Sequence, residues 1–390
     1  MRSIASNGAV VVLLTLGMAA GVTPASAGQQ TPYLDLGKIS EVVSSEALDV
    51  SNAGFVVGMS SAGPGGAYVP TNWDRAGRLT VLKTLPDSAE VPRPSAVNDL
   101  GQAIGTVSQA DGGRRALRWN RDGEVTVLEA PPGAAFLGAN ALNNRGVVLG
   151  GAGSNPLVGQ VVRWDRAGKV TVLPELPGLR WPFGIAINDH GIAIGGGYDP
   201  QDYIHPWLWD RAGVPHKLDP PPGVGPALLT DLNDRGHVIG NVGAGGIGGV
   251  VWDPAGHGTV LPGQGVSVAQ INERGTILGS AYFEDLGTTT AVRWRDGRLT
   301  RLALPPTGRL AYAIDQSDND ITIGRAVLSP YREVPVWWDR DGEVHDFACP
   351  SATIPCTVNA VNAQGIAVGS GMVETGAGTF QHALAWRLRR

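Results

Sequence analysis

Eight tryptophans recur along this chain at nearly even steps. Trp73, Trp119, Trp164, Trp209, Trp252, Trp294, Trp338 and Trp386 are separated by 46, 45, 45, 43, 42, 44 and 48 residues. A period of that length is the mark of one supersecondary unit copied many times. Two turn signatures recur between the tryptophans. The first pairs Asn98 with Gly101, Asn143 with Gly146, Asn188 with Gly191, Asn233 with Gly236, Asn272 with Gly275 and Asn362 with Gly365. The opening copy has Ser51 in the Asn place. The seventh reads as Asp315 followed by a turn two residues longer, through Asp318, Asn319 and Asp320. The second signature pairs Asp74 with Gly77, Asn120 with Gly123, Asp165 with Gly168, Asp210 with Gly213, Asp253 with Gly256 and Asp339 with Gly342. Its sixth copy, Arg295-Asp296-Gly297, is one residue shorter. A polar residue followed three places later by glycine suits a hairpin turn closed at positive φ. Each period therefore predicts two hairpins, four strands and one small sheet.

The runs between the turns, such as Ile192-Ala193-Ile194 and Val147-Val148-Leu149, are apolar on both faces. Strands buried on both sides lose the simple in-out alternation. Sheets stacked face to face around an axis bury their strands in this way, and a single open sheet does not. Glycine at 56 and proline at 28 residues of 390 fit a turn-rich all-β chain. The tryptophans are read as packing between sheets rather than as a ligand cage. The last repeat ends at Trp386 without a fourth strand, while Tyr33-Leu34-Asp35-Leu36 resembles a fourth strand with no preceding three. The expected fold is an all-β, eight-bladed β-propeller, closed by the N-terminal strand completing the last blade. Such a clasp would hide two open edges. A straight β-solenoid is the rival, but it would want capped ends rather than complementary ones.

The N-terminus reads as a secretory signal over residues 1–27: Arg2, an apolar run over 9–20, and Ala25-Ser26-Ala27 as a small-residue cleavage site. Residues 28–390 then form one propeller domain of eight repeats of about 45 residues. The apolar run is too short to span a bilayer, so a secreted, extracellular protein without membrane insertion is expected. Net charge is −5, which supplies no basic footprint for nucleic acid. Cys349 and Cys356 lie seven apart. A local disulfide is expected in an exported chain, and the other reading, half of a metal site, lacks nearby partners. A monomer is expected.

The pattern A-x-N-x-x-G-x-x-x-G, then a loop, H-A-F-x-W and a D-x-x-G turn, resembles the bacterial extracellular HAF repeats. The resemblance covers nearly the whole chain beyond residue 27. The eponymous triad is closest at His382-Ala383-Leu384, while other copies read Arg115-Ala116-Leu117 or Val161-Val162-Arg163. The resemblance implies a propeller-like repeat fold and no defined reaction.

In a propeller built this way, the short repeated turns share one face. The loops joining strands two and three, and those joining successive blades, share the other face and vary in every copy. Variable loops on a rigid scaffold are where binding sits. The most decorated region is in the fourth repeat, where Arg180, Trp181 and Phe183 approach the loop carrying Tyr198, Asp199, Asp202, Tyr203 and His205. Aromatic faces beside charged groups suit a polar ligand such as a sugar or a peptide. Asp199, Asp202 and His205 at spacing three could also hold a metal or share a proton as a catalytic pair. The plain alternative is a solvated loop. Tyr282 and Glu284, with Phe283 and Asp285, mark a second aromatic-acidic loop, and Tyr331, Arg332 and Glu333 a third. Asp318, Asn319 and Asp320 are oxygen ligands on the turn face, and their spacing matches no recognised calcium loop. No H-E-x-x-H, phosphate-loop lysine motif or nucleophile elbow occurs. The function expected first is binding of a carbohydrate, peptide or protein partner, with no cofactor and no resident metal. The alternatives are a propeller enzyme (a lyase, hydrolase or cyclase with its site at the channel mouth) and a structural cell-envelope protein.

Overall fold

The computed structural model describes residues 33–37, 44–61, 66–155, 158–174, 176–243, 248–330, 332–351, 353–376 and 378–388. The expected signal segment, 1–27, lies outside them. The described residues form 32 strands. Among them, no helix is long and apolar enough to cross a membrane.

Antiparallel runs of strands follow one another along the chain, with four strands each at 45–81, 93–127, 136–172, 180–217, 227–260, 264–301 and 310–346, and three at 357–387. We number these units one to eight. Six form separate four-stranded sheets, while units two and three join into one eight-stranded sheet. That join is a single parallel pairing of Phe136 with Arg114. In unit eight the fourth strand comes from the start of the chain. Tyr33–Asp35 pairs with Gly378–Arg387, with Tyr33 opposite Trp386 and Asp35 opposite Leu384. Unit eight also touches unit one, since Asn359 Nδ2 donates to Ala47 O at 2.7 Å and Asn362 Nδ2 to Ser51 O at 2.9 Å. Residues of both units share one apolar cluster, including Leu36, Val50, Trp73 and Val368.

The repeated glycine in the second strand has a local cause. The first strand of every unit carries a bulge, as between Gly184 and Ala186 in unit four. An extra residue bends the strand and turns a carbonyl toward its neighbour. A Cβ on Gly195 would lie 2.0 Å from Phe183 O, and one on Gly150 would lie 1.9 Å from Gly138 O. Only a hydrogen fits beneath that carbonyl.

All eight repeat tryptophans are less than 2 % exposed. Seven of their indole N–H groups cross to the preceding unit, while that of Trp73 has no hydrogen-bond partner. Trp119 Nε1 donates to Lys83 O at 2.7 Å, Trp164 to Glu129 O at 2.7 Å, and Trp338 to Ala303 O at 2.7 Å. Trp209, Trp252, Trp294 and Trp386 repeat the contact at 2.8–3.3 Å. Each ring thus fills the gap between two sheets, and seven of the eight satisfy their one polar atom there.

The first turns explain the repeated asparagine. Asn188 Oδ1 accepts from His190 N at 3.1 Å and Ile192 N at 2.9 Å, while its Nδ2 donates to Asn233 O at 3.1 Å. One side chain closes its own turn and grips the next unit. The same bridge runs from Asn98 to Asn143, Asn143 to Asn188, Asn233 to Asn272, and Asn272 to Ser317. That series corrects the expectation of a longer seventh turn. Ser317, not Asp315, opens it: Ser317 N donates to Ile321 O and Asp320 N to Ser317 O, as in every other copy. Asp320 takes the glycine place at φ 61°. Asp315 instead lies within the first strand, Leu310–Gln316, where its Oδ2 accepts from Val361 N at 2.7 Å. Asp318 accepts from Glu273 N and from Asn52 Nδ2, so this carboxylate is engaged in bonds between units. Cys349 and Cys356 form a disulfide in the connection between units seven and eight.

Candidate functional site

In unit four the strands Ala193–Tyr198 and Ile204–Trp209 are joined by the five residues 199–203. Asp202 N donates to Asp199 O at 3.0 Å, and Asp199 N to Tyr203 O at 2.9 Å. Asp199 Oδ1 accepts from Gln201 N and Tyr203 N, both at 2.9 Å. This is the Asn-x-x-Gly turn of the opposite face in another spelling, with Asp as the opener and Asp202 at φ 66° in the glycine place. The second oxygen of Asp199 meets His205 Nε2 at 2.8 Å. That hydrogen bond, with the two backbone N–H groups, holds the Asp199 carboxyl below its ordinary value.

Asp202 faces elsewhere. Its Oδ1 accepts from Arg180 Nη2 at 2.6 Å, and the same guanidinium reaches Pro200 O at 3.3 Å. The Arg180 guanidinium carbon also lies 4.5 Å from the centroid of the Trp181 ring. Trp181 meets Tyr198 edge to face at 5.9 Å, and Tyr198 meets Phe183 at 6.0 Å. The result is a row of rings backed by the strand Arg180–Ile187 and topped by a cation. Trp181 is 45 % exposed and Tyr203 56 %. Trp181 sits at φ 50°, which a bulky side chain rarely adopts. Such a conformation costs on the order of 1–3 kcal/mol and persists where the surroundings impose it.

The structure therefore divides the expected Asp199, Asp202 and His205 group. Asp199 and His205 pair, and Asp202 belongs to Arg180. Among the described residues, no group of three His, Cys, Asp or Glu side chains could hold a metal ion. The Asp–His pair is also not special to this loop. Asp210 with His216 at 3.4 Å, Asp253 with His257 at 3.2 Å, and Asp339 with His345 at 3.2 Å repeat it at turns of the other face. It is a turn device in which histidine takes the carboxylate oxygen that the backbone leaves free.

The other candidate residues stay apart from this row. Tyr282 is half-buried opposite Thr289, and Glu284 opens the turn that Gly287 closes. Next to them, Arg301 lies over Phe283 at 5.0 Å and pairs with Asp285 at 2.7 Å. Arg332 is exposed at the start of Arg332–Trp338, and Glu333 lies 3.8 Å from Arg325. Tyr331 lies outside the described residues. The hydrogen bonds and ring contacts of Arg180, Trp181, Phe183, Asp199, Asp202 and His205 described above all stay within unit four.

Sequence reasoning missed two cavities on the face of the short turns. One lies among the first turns of units one to three, lined by Asn52, Asn98, Asp99, Asn143 and Asn144. The other lies between units six and seven, beside Arg293, Arg295 and Asp320. The usable signal was the departure of units six and seven from the repeat, in a shortened turn and a missing glycine.

Successive four-stranded antiparallel units, with the last unit packed on the first, define an all-β propeller-like protein. No family model matches the chain, and no curated protein matches it by sequence. Solved structures share the architecture. A prolyl endopeptidase is similar with a TM-score of 0.55 at 12% identity, over 88% of this chain and 54% of that one. A post-proline cleaving enzyme from Rickettsia typhi is similar at 0.53 and 10% identity, over 85% and 56%. The β-propeller domain of the trilobed protease from Pyrococcus furiosus scores 0.47 at 13% identity, over 77% of this chain and 97% of that one. This chain thus spans little more than half of the two proline-cleaving proteins. At such identities the likeness to those two establishes the fold and not the chemistry.

Proposed function

We propose that the protein is an exported eight-bladed propeller, closed by its N-terminal strand, that binds a carbohydrate or peptide through the aromatic row of unit four. Seven four-strand runs and an eighth completed by the N-terminal strand, with unit eight bonded to unit one, support the blade count. A leader-like N-terminus and the Cys349–Cys356 disulfide support export. The turn and tryptophan pattern supports membership of the HAF-repeat proteins. The observation that carries the binding reading is Trp181, exposed at positive φ beneath Arg180 and beside Tyr198. An aromatic held at a backbone cost and left 45 % exposed has a use for its open surface. Sugar rings and proline-rich segments both stack on such surfaces, while Arg180 and Asp202 offer polar ends.

An enzymatic reading has less support. The Asp199–His205 pair is repeated at turns with no aromatic row, and Asp202 is committed to Arg180. Proline-cleaving enzymes occur among similar folds, but a shared scaffold does not transfer a reaction.

Glycan and peptide arrays probed with purified protein test the proposal, with Trp181→Ala and Glu284→Ala alongside. The expected result is binding that Trp181→Ala weakens at least about tenfold, as for a stacking residue at the centre of a site, and that Glu284→Ala leaves unchanged. Binding indifferent to Trp181 would move the site elsewhere.

A further inference from the structure

The gap between units six and seven gathers several departures from the repeat. In the six other units with this turn, the residue after the tryptophan is Asp or Asn, and all six accept backbone N–H bonds within the turn. In unit six it is Arg295, and the turn closes in two residues, Asp296 and Gly297, both at positive φ. The shorter turn withdraws from the seam. Across it, Asp320 puts a carboxylate where every other first turn has glycine. Thr322 stands where the other units carry Val, Ile or Ala, and its hydroxyl takes Arg293 Nη2 at 2.7 Å and Nε at 3.0 Å.

Two of these departures, Arg295 and Asp320, line one cavity of about 80 Å³, several times the roughly 10–15 Å³ that one water needs. Its polar groups are unevenly matched. Arg293, Arg295 and Arg340 line it together with Asp320 and Asp341, and Arg340 Nε lies 3.8 Å from Asp341 Oδ1. Asp320 is already taken: Oδ1 accepts from Asn272 Nδ2 at 2.8 Å, and Oδ2 lies 3.2 Å from Arg295 Nη1. Thr276 is 2 % exposed, and its hydroxyl has no hydrogen-bond partner. A buried unpaired hydroxyl costs free energy, so one on a residue in the wall of a cavity wants an occupant.

We infer that this cavity binds a small tetrahedral oxyanion, phosphate or sulfate, either free or as the end of a monoester. The donors come from three elements: Thr276 at the head of the second strand of unit six, Arg295 at the end of its third, and Arg340 in the outer turn of unit seven. Guanidinium groups match oxyanions through paired N–H bonds. Donors on three sides suit the three-oxygen face of a tetrahedral anion better than the two oxygens of a carboxylate. The site lies on the turn face, away from the aromatic row, and stands whether or not that row binds a ligand.

The test is titration with inorganic phosphate at constant ionic strength, read by calorimetry and by melting temperature. Sulfate, glycerol phosphate and acetate form parallel arms. Phosphate and sulfate are expected to bind saturably and to raise the melting temperature, and acetate to do neither. Glycerol phosphate decides between the free ion and a monoester end. Thr276→Val removes a hydroxyl that has no partner, and Arg340→Gln alters an exposed side chain, so both variants should fold. Each is expected to weaken phosphate about tenfold, the worth of one charge-assisted hydrogen bond. Arg121 holds the place of Arg340 in the outer turn of unit two, and Arg121→Gln should change nothing. No saturable phosphate binding, or an equal loss with Arg121→Gln, would overturn the inference.

Discussion

Asn188 shows why one residue type returns so often. Its oxygen closes a turn and its amide nitrogen holds the next unit, with no exposed surface left. Asn188→Ala should cost about 2–3 kcal/mol in denaturant unfolding, since it removes three bonds and leaves buried partners unmet. Asn188→Ser should cost less, because Ser51 and Ser317 already close turns with a hydroxyl while giving up the bridge. Equal losses for the two variants would count against the double role. Asp231 makes a different prediction. It is buried, and burial pushes its carboxyl up to about 8 despite N–H bonds from Leu232 and Ile271. A folded value above the unfolded one means the acid form is favoured by folding. Its contribution is therefore full below about pH 4 and is lost as pH rises toward 8. Unfolding free energy measured from pH 5 to 9 should fall less steeply in Asp231→Asn than in the parent.

Among elements, the strand Tyr33–Asp35 does more than its three residues suggest. Leu36 N donates to Ala383 O at 3.0 Å, and Asp35 Oδ2 meets the buried His382 Nδ1 at 2.7 Å. Removing residues 33–36 would expose the edge of Gly378–Arg387 and leave His382 without that carboxylate. The truncated protein should melt at lower temperature, with faster amide exchange in units eight and one than in unit four. Uniform exchange would argue against a local clasp. This strand was legible because its sequence looked like a fourth strand without its three partners. The bulged first strands were not legible. The second-strand glycine was visible in every repeat, but its reason is a carbonyl displaced by a neighbouring strand, and no local pattern reports that. The seventh turn misled for a related reason. Asp315 resembles a turn opener in sequence, while hydrogen bonding gives that place to Ser317 and lets Asp320 replace a glycine.

For the whole molecule, stability rests on seams between similar sheets, each with a tryptophan in it. Trp209→Ala should lower the unfolding free energy by about 3–5 kcal/mol, the usual cost of truncating a buried aromatic, with a matching fall in melting temperature. A smaller effect would mean that the seam closes around the gap.

Period, turn chemistry and two-sided hydrophobicity determined a chain of four-stranded units with complementary ends, because those properties are local and repeat eight times over. Which side chains meet is decided between units. Arg180 drew Asp202 away from His205, and a shortened turn beside a missing glycine opened a basic cavity on the face taken to be plain. Contacts of that kind depend on atoms that lie far apart along the chain and come close only when the sheets stack.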